Sequence, residues 1–464
     1  MKKILFFTIG FIGILKSYGQ SELTFVHLEN VLQSSYINPA HVPEHKVSIG
    51  LPLVSSIHFA ATNSSFAFNE FVDRNADKQP SLNWNRMLSK LQKQNYLYNA
   101  VNFDLFSVRV KVRHYYWSFN ITEKVSSRFS YPKDLMTLAL KGNEAFLGQQ
   151  ADLKYMGVNI THQREFGIGV VKQFTRFIVG ARAKYIQGLA NAYFRPKNLA
   201  LTTDANYYGM TATADASFNT AGIPDNFDNA MDAKDYMSNT KNWGAGIDLG
   251  VNYKLSKKFL LSAAVNNIGV INWKSDVKNY NIVGGTTFNG ADLGKELVNH
   301  VGDTTDFIEK EGKKYLDSLK GSFNYSETKN PYKTFLIPQF YLTAKYMLGS
   351  KTQVIGSVYL EKYIALRPAF TLGVYHELGR VVNVIATYSV QYGKFNNIGL
   401  GLVIKPPVVP IQLYFAGDNL FTTYTLINKS YVAPLDARNF NLRFGMNLVF
   451  GSILSPDKQS YPKK

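Results

Sequence analysis

Six cations of this chain fall on the polar side of alternating segments: Arg109, Lys111, Arg182, Lys184, Lys345 and Arg443. Arg109 and Lys111, like Arg182 and Lys184, stand two residues apart, the repeat that places side chains on one face of a strand. An enclosed face lined this way is basic and suits carboxylate or phosphate head groups. The same cations can instead pair with neighbouring carboxylates such as Asp248, or with backbone carbonyls, and then only brace the interior. Both uses remain open at this level. Covalent or metal chemistry has much less to work with. The eight histidines (His27, His41, His45, His58, His114, His162, His300 and His376) form no recognisable catalytic set. His376-Glu377 lacks the second histidine of the zinc-protease motif, and no Gly-x-Ser-x-Gly elbow occurs. The chain has no cysteine, which excludes lipoprotein anchoring, disulfides and thiolate metal sites. No enzyme, no cofactor and no metal is expected.

The elements that must hold these cations are strands. Asn439 to Phe450 alternates without a slip: Phe440, Leu442, Phe444, Met446, Leu448 and Phe450 share one face, and Asn441, Arg443, Gly445 and Asn447 the other. A wall between hydrocarbon and water needs this pattern over about ten residues, the length that crosses a bilayer when tilted. Phe106 to Thr122 reads as a hairpin turning at Arg113-His114, which pairs Val112 with Tyr115, Val110 with Trp117, Val108 with Phe119 and Phe106 with Ile121. The alternation recurs at Phe177 to Tyr185, Ala245 to Tyr253, Phe340 to Tyr346, Val354 to Leu360, Ile364 to Val374, Val382 to Val390, Ile398 to Ile404 and Ile411 to Phe415. Short turns such as Gly349-Ser350-Lys351 and Gly379-Arg380 make the order an antiparallel meander. Glycines inside the strands (Gly167, Gly169, Gly399, Gly401) suit curvature and bulges.

The expected fold is therefore all-β: a transmembrane antiparallel β-barrel over residues 46–450, with about 12 to 16 strands and 14 preferred. Asn83 to Gln94, Pro132 to Lys141 and Thr305 to Lys320 have helical spacing and belong in loops or the lumen. Thr220 to Lys241 reads as a mobile polar loop. Residues 20–45 precede the first convincing strand and form the natural plug or hatch. Residues 451–464 are a polar, Lys-ended tail on the periplasmic side.

Residues 1–19 read as a cleavable signal peptide: Lys2 and Lys3, an apolar run from Ile4 to Leu15, then Ser17 and Gly19. Aromatic residues make up 14% of the chain, with 29 Tyr and 32 Phe against 4 Trp, as aromatic girdles require. The net charge is +18, or +15 without Lys2, Lys3 and Lys16. That excess favours anionic head groups, whereas the scatter of the cations gives no stripe for nucleic acid.

Tyr36-Ile37-Asn38-Pro39-Ala40 and Ile49-Gly50-Leu51-Pro52-Leu53 resemble the outer-membrane barrels of Bacteroidota called domain of unknown function 5723, themselves similar to FadL-like fatty-acid channels. Further matches are Lys141-Gly142-Asn143, Phe146-Leu147-Gly148, Arg164 to Gly169, Gly180 to Gly188, Asn267-Ile268-Gly269 with Ile271 and Trp273, and Asp418-Asn419-Leu420. One departure is Asn267, where an Asp is expected. The resemblance implies a barrel of about 14 strands in the outer membrane, with an amino-terminal segment entering the lumen; a transport role would place Asn38, Pro39 and Ala40 at the turn of a hatch that must move. The resemblance implies no cargo. Two roles follow as expectations: a channel or binding barrel for an amphipathic or anionic ligand, or a docking subunit for an outer-membrane protein partner. In either, outer-membrane lipid surrounds the wall.

Overall fold

A computed structural model describes residues 22–67, 70, 72–74, 80–206, 209–223, 230–288, 323–362, 366–391, 394–420, 424–427, 431–434 and 438–452. The expected signal peptide, the helix at Thr305 to Lys320 and nearly all of the tail lie outside these residues.

The chain closes an antiparallel barrel of 14 staves. The first is in two pieces, His45–Gly50 and Ile57–Asn63. The second to seventh are Gln94–Val112, Tyr115–Pro132, Gly157–Gln173, Phe177–Phe194, Trp243–Lys254 and Phe259–Trp273. The eighth to fourteenth are Gln339–Met347, Thr352–Lys362, Leu366–Leu378, Val382–Gln391, Lys394–Ile404, Ile411–Asp418 and Asn439–Ser452. The last stave pairs with the first on one side (Val47 opposite Phe450, Phe59 opposite Leu442) and with the thirteenth on the other (Leu413 opposite Met446). Closure leaves the barrel wall no open edge, as a sheet in hydrocarbon requires.

The wall follows the period-two pattern. Ile168, Leu249, Leu342 and Leu372 stand out from it as an exposed apolar belt, while their neighbours along each strand are buried inside. The hairpin of the second and third staves has the expected register, Val112 with Tyr115 through Phe106 with Ile121, and Arg113 takes a φ of 56° in its turn. Among the described residues no helix is long and apolar enough to cross a membrane.

The two ends differ. One carries short turns, at 113–114, 174–176, 255–258, 348–351 and 379–381. The other carries long connections with structure of their own. There Trp84–Lys90 and Lys133–Lys141 form helices, the first capped by Asn83 accepting from the Arg86 amide at 3.0 Å, the second stopped at Gly142 with a φ of 72°. Both are shorter than or shifted from their sequence spans, because Gln94 and Pro132 are already paired in strands. Met87, Leu88 and Leu91 pack with Tyr131, Leu135 and Met136 over this end. The fifth stave continues into a raised sheet through Phe194 opposite Phe218. That sheet holds Met210–Ala221, Lys278–Phe288, Phe323–Thr328, Asn198–Thr203 and Gln150–Asp152. Thr220 to Lys241 differs from its reading as a polar loop: Thr220 and Ala221 end a strand, and Ala230–Ser238 is a helix whose Tyr236 hydroxyl lies 2.6 Å from His162 Nδ1.

Candidate functional site

The segment 22–44 lies inside the barrel as two short 3-10 turns, Phe25–His27 and Leu32–Tyr36, joined by coil. Its turns satisfy only part of its own backbone, and lumen side chains take up further groups. Asn266 donates to the Ile37 carbonyl at 2.5 Å, Asn252 to the Ala40 carbonyl at 3.0 Å, and Gln412 to the Asn30 carbonyl at 3.2 Å. Gln33 and Asn447 exchange two amide bonds, both 2.9 Å. The Leu23 amide donates to Asp418 at 3.1 Å, and Thr24 Oγ1 to the same carboxyl at 2.5 Å.

Asn38, Pro39 and Ala40 are buried at the turn of this segment. Asn38 donates to Ser262 at 2.7 Å and accepts from the Ala40 amide at 2.9 Å, so one side chain closes the turn and ties it to the wall. Facing glycines let the backbone this close: a Cβ on Gly180 would meet the Pro39 carbonyl at 2.3 Å, and one on Gly399 would meet Thr24 Oγ1 at 2.0 Å. At Gly399 the missing side chain serves this approach rather than the curvature its place in a strand suggested.

The sequence-predicted cations separate into groups. Arg182 and Lys184 converge on Asp248, each at 2.8 Å, and all three are buried. Asn267 joins them: its amide donates to Asp248 at 2.8 Å and its side-chain oxygen accepts from Lys184 at 2.7 Å. The residue takes a φ of 61°, which Asn tolerates, and it serves as a neutral acceptor where an Asp would add a second negative charge. Arg109 donates to the His41 carbonyl. Lys345 meets Glu29 at 2.6 Å, and Arg443 meets Glu22. Lys111 stands apart, half-buried, its Nζ 5.4 Å from the Tyr116 ring centre. Plug carboxylates and carbonyls thus engage Arg109, Lys345 and Arg443, while a wall carboxylate engages Arg182 and Lys184.

Opposite the ionic cluster, the eighth to thirteenth staves present an apolar strip. Tyr341, Ile355, Tyr359, Tyr375, Ile385, Val403 and Tyr414 pack on Leu23, Phe25, Val26, Leu28 and Val31 of the plug. Phe25 lies 5.7 Å from the Tyr414 ring and 5.0 Å from the Arg443 guanidinium.

Charge on the plug follows from these neighbours. Burial pushes the Glu29 carboxyl up, but Lys345 and His41 outweigh it and hold the group well below the usual carboxylate range. Glu22 is lowered in the same way, burial opposing and Arg443 and His58 prevailing. Burial, with Lys345 beside it, pushes the His27 imidazole down to about 3, so it sits neutral, 3.2 Å from Ser357 Oγ.

Sequence reasoning did not single out Glu22, Glu29 or Asp104. Asp104 accepts from Tyr36 at 2.8 Å and Thr122 at 2.9 Å. A bulge between Asp104 and Phe106 shifts the strand's parity, so counting by twos from Arg109 passes Asp104 by. Glu22 and Glu29 lie where no periodicity exists. Their only signal is acidity in a segment destined for a basic lumen.

These features define a transmembrane barrel with its amino-terminal segment packed in the lumen. The chain belongs to the family of unknown function DUF5723, which matches residues 39–418. Its structure is similar to that of the P. putida toluene transporter TodX, at 10% identity over 95% of this chain and 96% of that one, with a TM-score of 0.42. It is also similar to the Ralstonia pickettii toluene transporter TbuX, at 9% identity over 94% and 99%, with a TM-score of 0.44. A Pseudomonas aeruginosa FadL homologue is similar at 8% identity over 94% and 98%, with a TM-score of 0.39. No curated protein matches the sequence.

Proposed function

We propose that the protein is an outer-membrane channel or binding barrel for amphipathic anions, with residues 22–44 as a displaceable plug. The observation that carries this reading is the order of contacts along the plug. The Glu22 carboxylate sits on Arg443, and Leu23, Phe25 and Leu28 continue along the apolar strip of Tyr414, Ile385, Val403 and Tyr375. An acidic head followed by an apolar tail is also the form of an amphipathic carboxylate. Such a ligand would take the place of Glu22 on Arg443 and of the apolar side chains on the strip, with Lys345 as a second cation lower in the lumen. Arg182 and Lys184, held by Asp248, and Arg109, held by a plug carbonyl, have bracing roles in this scheme. The long-loop end faces the exterior and the short-turn end the periplasm, as in other barrels of this kind.

The test is binding of a fluorescent long-chain carboxylate to the purified full chain, with protease sensitivity of the plug as a second readout. Saturable binding that exposes the plug, weakened about tenfold by Arg443→Gln and absent for the alcohol of equal chain length, is expected. Equal binding of acid and alcohol, or binding that leaves the plug seated, would sink the proposal. A docking role draws support from the raised sheet beyond the fifth stave, a large structured surface outside the wall. A stoichiometric protein partner after mild detergent extraction would favour it.

A further inference from the structure

Near the long-loop end a pair of side chains crosses the lumen. Arg128 of the third stave donates through Nη2 to Oε1 of Glu361 on the ninth, at 3.0 Å. The third stave pairs with the second and fourth, the ninth with the eighth and tenth, so this contact does not run along the wall. It joins nearly opposite sides of the closed ring. Two side chains that touch tip to tip also set a width, because the gap there cannot exceed an Arg and a Glu laid end to end.

The pair is built into its place. Both side chains are 4% exposed. The Arg128 guanidinium lies 4.7 Å from the ring centres of both Tyr96 and Tyr98, and Tyr359 donates to Glu361 Oε2 at 2.8 Å. Aromatic faces favour a cation held against them. Breaking a buried ion pair is costly, so the closed arrangement is held once formed. Arg128 lies near Pro132, the end of its stave, and Glu361 is next to Lys362, the end of its own. The leading end of the plug meets Arg443 and Asp418, and its later part meets Lys345, nearer the short turns.

We infer that Arg128 and Glu361 form an outer latch, a second constriction in series with the plug, which a solute entering from the long-loop side must part. Loosening the plug would therefore leave the outer mouth narrow, and parting the latch would expose the plug's leading end to solution. The inference builds on the conduit reading above, but closure of the mouth can be measured without any cargo.

The absence of cysteine makes that measurement clean. Thr24, fully buried at the leading end of the plug, is replaced by Cys in the full chain, and its modification by a bulky, charged maleimide is timed in detergent. Slow labelling is expected with the pair intact, about tenfold faster labelling in Arg128→Glu or Glu361→Arg, and slow labelling again when both are exchanged. A heat-modifiable gel band shows that each variant is folded; where Arg128→Glu fails to fold, Arg128→Gln and Glu361→Gln take its place. Unchanged labelling in a folded single variant, or an exchanged pair that labels as fast as the single variants, overturns the latch. So does rapid labelling with Arg128 and Glu361 both intact. No ligand enters this assay, so failure of carboxylate binding would end the conduit proposal and leave the labelling result standing.

Discussion

From the third to the sixth stave the lumen is lined by Asn120, Arg182, Lys184 and Asp248, whereas from the ninth to the thirteenth it is lined by Ile355, Tyr359, Tyr375, Ile385, Val403 and Tyr414. The charges of the first side are paired within the wall. Its cations and carboxylate satisfy one another across neighbouring staves, with Asn120 accepting from Arg182 at 3.0 Å and Asn267 closing the group. The second side has a matching apolar surface only because the plug covers it. A buried ion cluster loses heavily when one member is removed, since the others stay charged in a poor solvent. An apolar strip loses only contact area, which another apolar group can restore. The ionic side is thus suited to holding shape and the apolar side to exchanging one occupant for another.

Four outcomes would break or sharpen that contrast. Asp248→Ala should destabilise the barrel by about 3–5 kcal/mol, seen as a lower urea midpoint in detergent, because Arg182 and Lys184 are left without their carboxylate. Phe25→Ala should weaken plug seating by about 3 kcal/mol, read as protease cleavage within 22–44, while the urea midpoint of the barrel stays put. If both changes melt the barrel alike, the two sides are one cooperative unit and the contrast fails.

Acid should loosen the plug. His27 is held down at about 3 against an ordinary 6.5, so below pH 6.5 the unseated plug takes up a proton that the seated one refuses. Seating is therefore fully favoured above pH 6.5 and loses about 1.4 kcal/mol per pH unit on the way down, or about 2 kcal/mol by pH 5. The lowered Glu29 carboxyl adds stability that is present above its ordinary 4.5 and is lost as pH falls further. Protease exposure of the plug that rises between pH 6.5 and 5 is the expected result, and His27→Gln should flatten it. The smallest effect belongs to Lys111, which lies over the Tyr116 ring at the edge of the ionic side. Lys111→Gln should move the urea midpoint by less than about 0.5 kcal/mol.

Strand identity, facing and the hairpin register at Arg113-His114 were legible in the chain because a side-chain period of two is a local property, carried by every few residues of Asn439 to Phe450 or Phe177 to Tyr185. The inward placement of Arg109, Arg182, Lys184, Lys345 and Arg443 came from the same parity. Where a bulge interrupts parity, as beside Asp104, the face was lost. What each cation touches depends on chain segments hundreds of residues away: Arg443 on Glu22, Lys345 on Glu29, Arg128 on Glu361. Those partners lie on no common periodic element, so no spacing could reveal them. The sequence by itself determined a wall, its membrane-facing side and a basic interior. Only closure of the barrel around residues 22–44 decided which charges pair within the wall, which meet the amino-terminal segment and which pair across the lumen, because those choices depend on distances between staves that the chain order does not contain.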